Sequence, residues 1–327
     1  MEDSVPRVSV VIVCYNEEKF IAKAIESLAD DYFRKNCELV IVDGMSNDGT
    51  QDIIHSFIRQ GLPLRLLENK KKLQAYGLNL GISKALGDII VRADAHCLYP
   101  PEYIKKCVKL LEATGASNVG GMMLPQGTKM VQKAISFAML HPVGVGDAKF
   151  HLGNFSGYVD TVYLGTFRKK LFDEIGLYDP NCPTNEDAEL NLRILKAGKK
   201  IYLDSSIKVT YFPRESLKAL ALQYYKYGRG RCYTTLKHKK ITSFRQIGPV
   251  ILVIGLFLSL ALSFWKPSLL LISLSYLLAL FLISLLSWPK ESIPIKQRLL
   301  IGLAWGVMHV SWGMGFLSYL IFGREIK

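Results

Sequence analysis

Three acidic positions in this sequence have neighbours that suit chemistry: Asp43 followed by Gly44, the triplet Asp94-Ala95-His96, and the run Thr184-Asn185-Glu186-Asp187. A carboxylate beside a glycine, where backbone can approach closely, suits hydrogen bonding to a ribose or a base. Asp94 and His96 offer an oxygen and a nitrogen two residues apart, so both can reach one divalent ion held against phosphates. Glu186 and Asp187 open a stretch with Leu190, Leu192, Ile194 and Leu195 at helical spacing. Carboxylates at a helix start complement its dipole, and one placed there is also a natural general base for a hydroxyl nucleophile.

These groups need a scaffold, and strand and helix signals alternate to provide one. Val8 to Cys14, Glu38 to Val42, Leu64 to Leu67 and Asp88 to Arg92 read as strands; Glu17 to Ala29, Asp48 to Arg59 and Leu73 to Lys84 read as helices. Such alternation predicts an α/β fold with a mostly parallel sheet and helices on both faces. Ligands on these sheets bind beyond the carboxyl ends of strands. The residues at those ends are Tyr15-Asn16-Glu17, Asp43-Gly44 and Asp94-Ala95-His96, which would face one crevice. Ser46, Asn47 and Thr50 read as turn and helix-cap residues, whereas Asp43 is not needed to make the turn and reads as functional. Neither a Walker A motif nor GxGxxG is present.

The 327 residues carry a formal charge of +13 and are 50% hydrophobic, which excludes a disordered chain and a small disulfide-stapled module. Six cysteines at 14, 37, 97, 107, 182 and 232 show no zinc spacing and read as reduced thiols. Met1 to Pro6 lacks a signal-peptide layout. Three stretches without charge follow Arg245: Ile247 to Phe264, Ser268 to Trp288, and Leu299 to Phe322. Each is near the roughly 18 to 20 residues that cross a bilayer as a helix, although the third, with four glycines and His309, also suits a re-entrant or in-plane helix. Ten basic residues against one acidic lie between Ser205 and Gln246, next to the first stretch. They point to membrane lipids rather than nucleic acid and to a cytoplasmic large domain, with Lys290 to Arg298 inside and the Arg324 to Lys327 tail outside.

The ordered set VSVVIVCYNEE, IVDGMSNDGT, RADAHCLYPPEYI, GYVDTVYLGTFR, NEDAELNLRI and YFPRESLKALALQYYKYGRGR resembles the inverting family 2 glycosyltransferases, and within them the succinoglycan-biosynthesis type. The resemblance implies a GT-A fold, a Rossmann-like mixed and mostly parallel sheet with flanking helices, over 1–215. A basic interfacial region at 216–246 and transmembrane helices over 247–327 would follow. It also implies that Tyr15, Asn16, Glu17 and Asp43 hold the nucleoside of a UDP-sugar. Asp94 and His96 stand where the family's DxD motif binds diphosphate through Mn2+ or Mg2+, with His96 replacing the second Asp. Asp187 stands as the catalytic base.

Gln223-Tyr224-Tyr225-Lys226-Tyr227 occupies the place of the processive QxxRW motif without its Arg and Trp, so the resemblance favours a non-processive enzyme. Arg229 and Arg231 suit either a diphosphate or the membrane surface. Asp160, Glu186, Gln223 and Tyr227 are candidates for the acceptor site, and Met130 to Gly146 for core or acceptor wall. The expected acceptor is a polyprenyl-diphosphate-linked saccharide at the cytoplasmic face of the cell membrane. The rivals are a polyprenyl-phosphate glycosyl synthase, a processive synthase and a non-catalytic membrane scaffold.

Overall fold

The computed structural model describes residues 7–241, 246–288 and 293–323. Met1 to Pro6, Arg245, the 290–292 part of the expected inside loop and the 324–327 tail lie outside the described residues. The chain divides into two compact units, Met1–Leu124 with Gly153–Asn181 and Glu186–Tyr211, and Pro125–Leu152 with Cys182–Asn185 and Phe212–Lys327.

The first unit is built on one sheet. Its strands are β1 (Val8–Cys14), β2 (Cys37–Asp43), β3 (Leu64–Glu68), β4 (Ile89–Asp94), β5 (Cys97–Leu98), β6 (Asn118–Pro125), β7 (Gly157–Tyr158), β8 (Tyr163–Arg168) and β9 (Ile201–Tyr211). The order is β3-β2-β1-β4-β8-β6-β9-β5, with β7 paired to β9. β3, β2, β1 and β4 run parallel, and β8 turns the sheet antiparallel beside β4. β1 and β2 are buried almost throughout, which is why they read as unbroken apolar runs rather than alternating ones. The four strands and three helices expected from the sequence are all present. The helix Ile21–Leu28 buries Ile21, Ala24, Ile25 and Leu28, the spacing of one helical face. The helix Gln74–Lys84 lies so close to β1 that a Cβ on Gly81 would come within 2.5 Å of Val11 Cγ1. That approach fixes the strand whose carboxyl end matters most. Register aligns Cys14 with Asp43 on one side and Val13 with Asp94 on the other. The chain reverses direction across the sheet between β1 and β4, the switch point where a crevice opens.

The second unit is helical: Met130–Met139, Pro142–Val145, Leu217–His238, Gly248–Leu262, Leu270–Leu286 and Ile295–Phe322. The long last helix packs closely on Leu217–His238. A Cβ on Gly228 would lie 2.0 Å from Trp312 O, and one on Gly315 2.0 Å from Tyr225 O, so small residues let the two backbones meet. Trp305, fully buried, donates its indole N–H to Ala138 O at 3.2 Å. His309 Nε2 lies 2.6 Å from Val143 O and its Nδ1 3.1 Å from the Tyr276 hydroxyl. A carbonyl only accepts, so Nε2 carries the proton and Nδ1 accepts from Tyr276. Within Met130 to Gly146, the part from Gln132 to Met139 is therefore packed core of this unit, whereas Pro142–Val145 has no fully buried residue.

The three apolar stretches do not behave alike. Two helices, Pro267–Leu286 and Ile295–Phe322, are long and apolar enough to cross a membrane. The first stretch forms the 15-residue helix Gly248–Leu262, about 22 Å long and short of the roughly 30 Å of hydrocarbon.

Candidate active site

The site grows from the loops after β1, β2 and β4. Asp43, 1% exposed, accepts hydrogen bonds from Ser46 N at 2.9 Å and Gln51 Nε2 at 2.6 Å, and from the Ser46 hydroxyl. This corrects one expectation: the carboxylate does make the turn, and the loop is shaped around it. The same loop holds its neighbour. Asn16 N donates to Ser46 Oγ at 2.8 Å, Asn47 N to Asn16 Oδ1 at 3.0 Å, and Glu17 N to Thr50 Oγ1 at 2.8 Å. Asn16 itself adopts a left-handed backbone, φ 55°, a conformation asparagine tolerates. Ser46, Asn47 and Thr50 thus do the structural work assigned to them, and what they hold is the loop of Asn16 and Glu17. Tyr15 is half exposed, with Lys72 Nζ 5.0 Å from its ring centre.

Beyond β4, His96 Nδ1 lies 3.1 Å from Glu17 Oε1, and the His96 ring packs edge-on against Tyr211. Asp94 is braced by Tyr99, whose hydroxyl meets both the Asp94 N–H (2.6 Å) and its carbonyl (3.0 Å). The Tyr163 hydroxyl reaches Asp94 Oδ2 at 3.4 Å.

The residue that joins the acidic groups is one the motif reading missed. Arg92, on β4 two positions before Asp94 and so on the same face, is buried with its Nη2 3.7 Å from Asp94 Oδ1 and 3.2 Å from Glu186 Oε1. Its Nη1 lies 3.8 Å from Asp187 Oδ2. Burial opposes the guanidinium charge, but Asp94, Glu186 and Asp187 together outweigh it and hold the proton well above the ordinary range. Burial pushes the Glu186 carboxyl upward, Arg92 pulls it back, and Asp187 adds to the rise. A signal was present in the sequence: an arginine inside the otherwise apolar strand IIVRAD has to be paired once buried.

Glu186 and Asp187 begin the helix Glu186–Lys196, preceded by Asn185 at φ 60°. The two acids are not equivalent. The Glu186 side chain is 8% exposed and engaged with Arg92, so it is enclosed rather than open to an acceptor, whereas the Asp187 side chain is 34% exposed. Asp160 lies exposed just before β8.

The remaining candidates belong to the helical unit. Arg229 is engaged within its own unit: its guanidinium donates to Ser318 Oγ and Gly323 O at 3.3 and 3.2 Å and lies over the Tyr319 ring. It caps the carboxyl end of Ile295–Phe322, where a cation offsets the helix dipole. Arg231 is half-buried two positions on. Gln223 Nε2 donates to the Tyr227 hydroxyl at 2.8 Å, a pairing one helical turn apart. Asn185 Nδ2 donates to Tyr227 O at 2.9 Å.

For a divalent ion, Asp94 and His96 supply one carboxylate and one imidazole, a set that fits Mg2+ or Mn2+ when phosphate oxygens complete the shell. Among the described residues no group of three or more His, Cys, Asp or Glu is arranged to hold a metal unaided.

The glycosyl transferase family 2 profile matches residues 9–176, which include the ends of β1, β2 and β4. The chain belongs to glycosyl transferase family 2. Succinoglycan biosynthesis protein ExoA of Rhizobium meliloti is 35% identical over 243 residues, 74% of either chain. A Methanococcus voltae family relative, dolichyl N-acetyl-alpha-D-glucosaminyl phosphate 3-beta-D-2,3-diacetamido-2,3-dideoxy-beta-D-glucuronosyltransferase, is 29% identical over 237 residues, 68% of this chain and 72% of that one. Among solved structures, the mannosyltransferase PcManGT from Pyrobaculum calidifontis, in complex with GDP-Man and Mn2+, matches with a TM-score of 0.63 at 19% identity over 99% of this chain and 89% of that one. This family 2 glycosyltransferase has the GT-A fold.

Proposed function

We propose that the chain is a membrane-anchored, non-processive, inverting enzyme that moves a hexose from a UDP-sugar to a polyprenyl-diphosphate-linked saccharide at the cytoplasmic face. The observation that carries this reading is the grouping of Asp94, Glu186 and Asp187 around Arg92 at the carboxyl end of β4, with Asp187 the most exposed carboxylate of the three. Asp187 accepts the proton of the acceptor hydroxyl as that oxygen forms its bond to the anomeric carbon in line. The bond from that carbon to the diphosphate breaks, its electron pair leaves with UDP, and an α-linked donor gives a β-linked product. Tyr15, Asn16, Glu17 and Asp43 orient the nucleoside. Asp94 and His96 would hold Mn2+ or Mg2+, which when bound supplies positive charge to the departing diphosphate.

The relatives support the class of chemistry: one is named for succinoglycan biosynthesis and one for transfer to a dolichyl phosphate sugar. The two long apolar helices support the anchor.

The test is nucleotide release from a panel of UDP- and GDP-sugars by membranes containing the wild-type chain or Asp187→Asn, with and without lipid-linked saccharide and Mn2+. Acceptor-dependent release of UDP that falls to a small residual rate in Asp187→Asn supports the reading. Release to polyprenyl phosphate that survives Asp187→Asn replaces it with the lipid-phosphate synthase, whose nucleophile arrives ionised. GDP release corrects the donor.

A further inference from the structure

We propose that Arg92 is the positioning residue of the transfer: one buried guanidinium ties the Glu186-Asp187 pair to the strand end presenting Asp94, and holds Asp187 by charge without hydrogen bonding to it. The proposal rests on the reading of Asp187 as the base and deepens it.

The geometry separates Arg92 from an ordinary buried ion pair. A guanidinium that needs only neutralising is best served by one bidentate carboxylate with two short parallel hydrogen bonds. Arg92 instead faces three carboxylates from two elements at 3.2, 3.7 and 3.8 Å, and its Nε and Nη1 make no hydrogen bond within normal limits. Exchanging strong hydrogen bonds for a central position costs stability, and the return is geometric. Glu186, enclosed and the nearest, is the tether. Asp187, at 3.8 Å, feels the charge while Oδ2 stays beyond hydrogen-bond range and can take a proton from substrate. Asp94 shares the nitrogen that holds Glu186, so a single side chain sets the distance between the base and the donor end. A lysine ammonium, a point charge on a flexible stem, cannot span the same three partners.

The experiment is a double-mutant cycle on the full-length protein in detergent. Acceptor-dependent UDP release is measured for wild type, Arg92→Lys, Asp187→Asn and the double variant, beside the rise in Tm that UDP with Mn2+ gives each protein. Arg92→Lys is expected to lower kcat about 30- to 100-fold with donor KM and the UDP-Mn2+ shift nearly unchanged, and to lower the residual rate of Asp187→Asn less than about threefold, because an effect exerted through Asp187 vanishes without it. Equal loss in both backgrounds, or loss of the UDP-Mn2+ shift in step with kcat, overturns the proposal. Should Arg92→Lys fail to fold, Glu186→Gln takes its place in the cycle: the same non-additive loss supports the tether, and full turnover overturns it. Absence of turnover in the wild type, or wild-type turnover in Asp187→Asn, overturns instead the reading on which the proposal rests.

Discussion

His96 Nδ1 and Glu17 Oε1 lie 3.1 Å apart, joining the loop after β4 to the loop after β1 across the two strands that flank the switch point. The imidazole that replaces the second acid of DxD is thereby held by a carboxylate expected to face the nucleoside. On the proposed function, donor-loop order and metal affinity are coupled through this pair. An aspartate at 96 would put a second negative charge beside Glu17, so the histidine suits its neighbour as well as the ion.

His96→Ala removes a proposed ligand and leaves Asp94. The Mn2+ concentration giving half of the UDP-dependent rise in Tm is expected to increase about tenfold, the usual scale for a lost ligand or its close support. Titration of Mn2+ at fixed UDP reads this directly, and an unchanged midpoint removes His96 from the metal site.

Asp43→Ala takes away the acceptor shared by Ser46 and Gln51 in a buried place. Stability is expected to fall by about 1–3 kcal/mol, the cost of buried donors left without a partner. UDP binding should fall with it, since Ser46 also positions Asn16. Urea unfolding and UDP titration on one preparation check both outcomes.

Gly228→Val and Gly315→Val each place side-chain atoms where backbone carbonyls of the facing helix already lie 2.0 Å from the nearest possible Cβ. Separation of the helices is expected to cost about 1–3 kcal/mol or more. The Tm in detergent should drop for either variant, while Gly248→Val, with nothing near its Cβ, should leave it unchanged.

All six cysteines are buried and free. Burial pushes the Cys37 and Cys107 thiols from 9.0 up to about 12. The unfolded chain therefore ionises first as pH rises, so their contribution to stability is complete below about pH 9 and is lost as pH climbs toward about 12. A Tm profile taken upward from about pH 8 should decline along that limb, and Cys37→Ala/Cys107→Ala should decline less. A thiol reagent should find little to label until the chain is unfolded.

Most of the parallel half of the sheet was legible because its strands are continuous apolar runs ending in short polar motifs. VSVVIVC gave β1, ELVIV the body of β2, and the register of those strands then had no freedom to separate Asp43 from Asp94. The antiparallel strands were harder to read, since β7 and β5 are two residues long and take their geometry from β9. Arg92 escaped because a motif draws the eye to the residues after a strand, whereas this side chain acts from within one. Arg229 misled for the opposite reason: a GRGR run looks like an anion site, but its partner, the end of a helix 94 residues later, is invisible to local pattern. The first apolar stretch was overcounted because hydropathy registers composition, while the helix starts at Gly248 and stops at Leu262.

The burial of Trp305 under Ala138, with His309 against Val143, bears on how this chain can be taken apart. A boundary drawn where hydropathy rises would discard Ile295–Phe322 and strip the cover from Met130–Val145, so deletion of the apolar end is not a route to a soluble version. The same holds for recombination between relatives. Exchanging only the terminal helices would pair a foreign tryptophan with a native socket, and a working chimera has to carry the segment between β6 and β7 together with the last helix as one inherited block.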